Sequence, residues 1–231
     1  MNVFVMLVFI FGMGSIFGWL LEVLYRHFTD KEKRWYNPGF CVGPWLPIYG
    51  ISLIVVFLIT YFNDNDFIVN PILRRIILFI VIGLFISFLE LISGIIMLKV
   101  FNLRLWDYRD ERFNFHGFIC LKYTLFWIFL AAIYYFLIHE KVYNSVVWLS
   151  SNLIFSFFVG AFFSIFVADV IYSGNVIAKI KSYANDKGII VKFDELKDRL
   201  RREQKINESR VTFFTFMLKE NIAKLISGEK K

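Results

Sequence analysis

Glu90 stands inside a run from Ile76 to Leu98 that holds no other charge, while Glu22 and Asp169 close two other apolar runs. A carboxylate in hydrocarbon is costly unless it is neutral, paired or wetted, so an intramembrane Glu is a functional candidate by default. Glu90 is the deepest of the three: it lies eight residues before Leu98, which places it about 12 Å from that end of a helix. Gly83, Ser87, Glu90 and Gly94 recur at helical spacing. Such a small or polar stripe faces other helices or a cavity, not lipid. The structural alternatives are a protonated Glu90 or one paired with Lys122. Glu22 follows Gly14 and Gly18, with Arg26 four residues on as a ready ion-pair partner. Asp169 follows a ladder of Ser156, Gly160, Ser164 and Ala168 that reads as a packing seam, with Asp169 at its wet boundary.

Two other segments carry polar chemistry. Trp106, Asp107, Tyr108, Arg109, Asn114 and His116 fall within eleven residues, a set able to hold a phosphate or move a proton at an interface. With Asp110, Glu111 and Arg112 the same stretch also reads as a solvated charged turn. In the segment Asn37 to Gly50, NPGFCVGPWLPIYG, Asn37-Pro38-Gly39 suits a turn with Gly39 at a left-handed position. Gly43, Pro44, Pro47 and Gly50 then make the start of the next helix irregular. A broken backbone at membrane depth is tolerated only where protein buries it or a wet cavity adjoins it. Asn37, Gly39, Pro47 and Tyr49 therefore join Glu22, Glu90, Trp106, Asp107, Asn114, His116 and Lys122 as candidates for a polar cluster or solute pathway. No HExxH, GxSxG or GxxxxGK[ST] motif occurs, so the reading expects no metal, no cofactor, no catalytic residue and no ATP hydrolysis by this chain.

The elements that must position these residues are apolar and long. Hydrophobic residues make up 58% of the 231, in five candidate spans: Val3 to Leu24, Trp45 to Phe62, Ile76 to Leu98, Phe118 to Ile138 and Val146 to Tyr172. Each is able to cross about 30 Å of hydrocarbon, or nearly so with its flanks. The expected fold is all-α: a polytopic transmembrane helical bundle of about five spans. The first span has no basic start and no small-residue cleavage site, so it reads as a retained helix beginning at Met1.

Arg26, Lys31, Lys33 and Arg34 follow the first span and Lys99, Arg104, Arg109 and Arg112 the third, whereas only Arg74 and Arg75 precede the third and only Lys141 follows the fourth. Loops one and three are then cytoplasmic and the N-terminus outside. From Val176 onward there are 14 Lys and Arg against 8 Asp and Glu, a net +6 of the chain's formal +7. A cytoplasmic basic tail is expected over residues 176–231, with a break after Gly188 and a helix from Asp194, as its N-cap, to Ile226. Such a helix suits an anionic lipid surface or a cytoplasmic partner, not nucleic acid. Cys41 and Cys120 lack CxxC spacing and read as small buried groups.

The two cytoplasmic loops share an outline, Glu then Asn, Gly and Cys opening a span, which suggests two copies of a two-helix unit over 3–62 and 76–138, with a fifth helix added. Taken together, Gly18-Trp19-Leu20-Leu21-Glu22, Asn37 to Gly50, Leu89-Glu90-Leu91 with Gly94, Trp106-Asp107-Tyr108, and Asn114 with Gly117 to Leu121 resemble the bacterial membrane-protein family described as putative ABC-transporter type IV (CmpB-like). The likeness covers roughly residues 10–165 and leaves the tail outside. Pro38 and Phe118 stand where the family favours basic residues, and Arg109 where a small polar residue commonly follows Trp-Asp-Tyr, so no anion contact is carried over there.

The resemblance implies a permease-type subunit in a bacterial plasma membrane, moving an unknown small solute, with the ATPase on another chain and a homo- or hetero-oligomer as the working unit. The alternatives are a membrane-anchored scaffold acting through its basic tail, and an interfacial enzyme on lipid head groups using Asp107 and His116.

Overall fold

The computed structural model describes residues 2–29, 33, 35–61 and 70–197. Helix α1 spans Val3–Thr29, α2 Pro47–Tyr61, α3 Pro71–Phe101, α4 Leu121–Ile133, α5 His139–Ser151 and α6 Ser156–Lys187. A π-helical turn, Tyr134–Ile138, joins α4 to α5, and a 3-10 turn, Leu153–Phe155, leads into α6. Four two-residue strands complete the described chain: β1 Leu103–Arg104, β2 Asn114–Phe115, β3 Ile119–Cys120 and β4 Val191–Lys192.

Local chemistry sets the helix ends. Asn2 Oδ1 accepts from Phe4 N–H at 2.9 Å, and Asn70 Oδ1 accepts from Ile72 and Leu73 N–H at 3.0 and 3.2 Å. Both are N-caps, and Pro71 then occupies the first helical position of α3, where a missing N–H costs nothing. Pro47 does the same for α2. At the other end of α6, Gly188 adopts φ +62, Ile189 N–H donates to Ala184 C=O at 3.0 Å and Gly188 N–H to Asn185 C=O at 3.1 Å. This is the paired closure of a Schellman cap.

One expected boundary is corrected. Val146 to Ser151 belongs to α5, in continuous helical chain from Leu121, and the next long helical stretch begins at Leu153. No Gly or Pro interrupts residues 118–159, and His139, Glu140 and Lys141 are polar without breaking a helix. The break falls at Asn152, whose φ −123 and ψ 60 leave the helical region. Of the second expected span, Trp45 to Phe62, the described residues hold α2, which is 15 residues long, and Phe62 lies outside them. Among the described residues four helical stretches are long and apolar enough to cross a membrane: Val3–Thr29, Pro71–Phe101, Leu121–Ser151 and Leu153–Lys187. Large apolar side chains such as Leu84, Phe88, Phe129, Phe157 and Ile165 are exposed along them. A surface of that kind requires lipid as its solvent. The chain is an all-α membrane protein.

The described chain divides into two compact units. Unit 1 holds residues 1–15, 47–93 and 107–163; unit 2 holds 16–46, 94–106 and from 164 onward. The core of unit 1 gathers Ile10, Val56, Phe57, Leu78, Ile82, Ile86, Ala131, Tyr134, Val142 and Val146. Within it α1 and α2 meet backbone to backbone. A Cβ on Gly14 would lie 2.7 Å from Leu53 Cβ and 2.8 Å from the Tyr49 carbonyl oxygen, and one on Gly50 would lie 2.7 Å from the Phe11 carbonyl oxygen. Backbone has little room to retreat, so Gly50→Val should destabilise the protein by about 3 kcal/mol. The thermal unfolding midpoint in detergent measures this; an unchanged midpoint would mean that the two helices do not pack through Gly50.

The core of unit 2 is separate: Leu103, Val176, Ile177, Ile180 and Phe193, with Phe40, Val42, Met97 and Leu196 packed against it. Here β1 pairs in parallel with β4, Leu103 opposite Val191. Residues 193–197 are helical, so Asp194 lies within the first turn and is not the N-cap expected there. The remainder of the expected tail helix lies outside the described residues.

Candidate functional site

Glu90 is 6% exposed. Its Oε1 accepts from the Tyr108 hydroxyl at 2.9 Å and its Oε2 from Trp127 Nε1–H at 3.1 Å. The polar stripe of α3 explains the second contact. Thr124, Trp127 and Ile128 line one face of α4 at helical spacing; Ser87 donates to Thr124 Oγ1 at 3.0 Å, and a Cβ on Gly83 would overlap Ile128. Small residues on α3 let α4 approach closely enough for the Trp127 indole to reach the carboxylate. Aromatic rings wall the group: Tyr49 meets Trp127 edge to face at 5.5 Å, and Tyr108 stacks on Tyr123 at 4.5 Å. Tyr and Trp suit this place because each buries a large apolar body while offering one hydrogen-bond donor.

The segment carrying Tyr108 is a turn. Tyr108 N–H donates to Gly117 C=O at 3.0 Å, and β2 pairs antiparallel with β3, Phe115 opposite Ile119. Asn114 locks it, donating through Nδ2 to the Arg109 and Glu111 carbonyls at 3.1 and 2.8 Å and accepting from Gly117 N–H at 3.2 Å. Asp107 is gripped by Arg109, with Nη2 at 2.6 Å from Oδ2; this pairing raises the Arg109 pKa. Lys122 Nζ lies 2.6 Å from Glu111 Oε1, an ion pair with the turn.

His116 is exposed, at φ 52, and its neighbour Gly117 is at φ 74. Together they close the hairpin between β2 and β3, where a left-handed residue is needed and Asn serves well. His116→Asn should therefore leave stability within about 0.5 kcal/mol of wild type, whereas a β-branched His116→Val should lower it by about 1 to 2 kcal/mol. Thermal unfolding midpoints separate the two; equal losses would point to imidazole chemistry instead of turn geometry.

In unit 2, Asn37 is buried and organises the loop between α1 and α2. Its Oδ1 accepts from Trp19 Nε1–H at 2.9 Å and Gly39 N–H at 3.2 Å, and its Nδ2 donates to the Cys41 and Val42 carbonyls at 2.9 and 3.0 Å. Asp169 fastens the same loop, accepting from Val42 N–H at 3.1 Å, Gly43 N–H at 2.8 Å and the Ser173 hydroxyl at 3.0 Å. Gly39 does not take the expected left-handed φ. A Cβ there would lie 2.9 Å from Leu46 Cδ2, the far end of a side chain that is able to shift. Cys41 is fully buried beneath the loop, its pKa pushed up to about 12 by burial and then by the Asp169 charge. Glu22 Oε1 accepts from Arg26 Nε at 2.7 Å, the pair anticipated at i,i+4.

Within unit 1 the candidates Tyr49 and Glu90 thus share a cluster with Tyr108, Trp127 and Tyr123. Asp107 and Asn114 belong to the turn that presents Tyr108, and Lys122 pairs with that turn from the start of α4. In unit 2, Asn37 and Gly39 belong to the loop and Glu22 to the end of α1, while Trp106 is half-buried beyond β1. Trp127 is the polar partner that reasoning along the chain did not single out. The available signal was an indole in a membrane segment, with a donor to satisfy.

No curated protein and no solved structure matches this chain. The model of the family described as putative ABC-transporter type IV matches residues 9–174, a stretch that contains Glu22, Asn37, Glu90, Tyr108, Asn114, Trp127 and Asp169. As that match covers well over half of the 231 residues, the chain belongs to the putative ABC-transporter type IV family.

Proposed function

We infer that the chain is a permease-type subunit of an ABC-like transporter in a bacterial plasma membrane, with its N-terminus outside and loops one and three in the cytoplasm. Energy comes from an ATPase on another chain, and a homo- or hetero-oligomer completes the conduit, since so few helices enclose little by themselves. The observation that carries this reading is Glu90: a buried carboxylate within a membrane-length helix, held by Tyr108 and Trp127. Retaining such a group against its desolvation cost is characteristic of residues on solute or ion routes. Family membership supplies the transport context.

The test is gentle detergent extraction of the tagged protein, identification of what co-purifies, and ATP turnover of the recovered complex in liposomes. A stoichiometric nucleotide-binding partner is expected, with turnover changed by Glu90→Gln. Recovery of the chain only with itself, or with a partner that binds no nucleotide, would overturn the reading.

A further inference from the structure

The family match ends at residue 174, yet the chain beyond it returns to the loop between α1 and α2. After the Schellman cap at Gly188, Val191 N–H donates to Asn102 C=O at 3.0 Å and β4 pairs with β1. Phe193 is 2% exposed, in the cluster against which the loop residues Phe40 and Val42 also pack. Asp194 Oδ1 lies 3.1 Å from Arg26 Nη1, on the guanidinium that also holds Glu22. Lys197 is buried; its ammonium donates to the Pro38 carbonyl at 2.6 Å and sits 4.4 Å from the centre of the Phe193 ring.

We propose that residues 189–197 are a strap that latches the Asn37 to Gly43 loop, so that release of the strap frees the loop. Its attachments have the character of a latch. Two strand residues and one half-exposed ion pair hold the strap laterally, and salt screens the ion pair. The specific grip is the Phe193 side chain and the Lys197 donor, both within a few residues of the chain's further 34. A pull on that basic extension reaches Lys197 first and Pro38 through it. Local units of a fold open with free energies below that of global unfolding. The proposal does not depend on what the membrane helices move.

Cys41 and Cys120, both buried, provide native reporters, one beneath the latched loop and one in unit 1. Maleimide labelling of the full-length protein in detergent micelles, read by mass spectrometry at each cysteine, should be slow at both. Phe193→Ala should raise the Cys41 rate about tenfold or more and leave Cys120 unchanged, whereas a chain stopped after Lys197 should match wild type at both. An unchanged Cys41 rate in Phe193→Ala overturns the latch. Should both cysteines become reactive, the variant has lost its fold, and hydrogen exchange of the wild type decides. Strap amides from Val191 and loop amides of Val42 and Gly43 exchanging at one common opening rate support the latch. Strap amides exchanging about a hundredfold faster than the loop's would show that the strap opens while the loop stays shut.

Discussion

Glu90→Ala should destabilise the protein by about 3 kcal/mol, while Glu90→Gln should leave stability nearly intact and still alter activity. The difference lies in the donors. Alanine leaves Trp127 Nε1–H and the Tyr108 hydroxyl facing a void, and each stranded buried donor costs free energy beyond the lost hydrogen bond. Glutamine keeps one carbonyl oxygen for the indole, and its amide can donate to the phenol, whose hydroxyl both donates and accepts. Only the titratable acid is removed. Thermal unfolding in detergent reads the first effect and ATP turnover of the assembled complex the second. Equal unfolding midpoints for Ala and Gln would mean that Trp127 and Tyr108 do not depend on Glu90. Wild-type turnover in the Gln variant would remove Glu90 from the transport pathway.

Asp169→Ala carries the second large effect, about 3 kcal/mol, because three donors lose their acceptor at once. Two are the backbone N–H groups of Val42 and Gly43, which turn toward Asp169 instead of pairing in a ladder. Ser173→Ala removes only one of the three and should cost about 1 kcal/mol. Cys41 gives an independent reading: the Asp169 charge contributes to holding its pKa at about 12, so the substitution lowers that pKa while loosening the loop above the thiol. Both changes speed alkylation. A Cys41 rate unaltered by Asp169→Ala would show that Asp169 does not hold the loop closed.

Glu90 was legible in the chain because its neighbours at helical spacing are small and its own run carries no other charge; its environment required no partner to be recognised as exceptional. The ion pair of Lys122 with Glu111 was not legible: Lys122 lies in the first turn of α4, and its ammonium reaches Glu111 in the turn that a hairpin folds back toward α4. Gly39 was marked as special for a left-handed φ that it does not adopt. The two loops of similar outline also differ in detail. Asn37 donates to carbonyls that follow it, Cys41 and Val42, whereas Asn114 donates to carbonyls that precede it, Arg109 and Glu111.

Apolar runs of helical length, the Asn and Pro residues at helix starts and the Gly188 stop are local properties, and they determined from sequence alone that this is a helical membrane protein with a carboxylate at depth. Local propensity and transfer free energy act over a few residues and need no knowledge of the rest of the chain. Which donors satisfy Glu90, that Asp169 reaches back 127 residues to Val42, and that Lys197 closes on Pro38 across 159 were decided only by tertiary packing. Those pairings depend on which helix faces meet, and many residues along the chain offer the same donor chemistry.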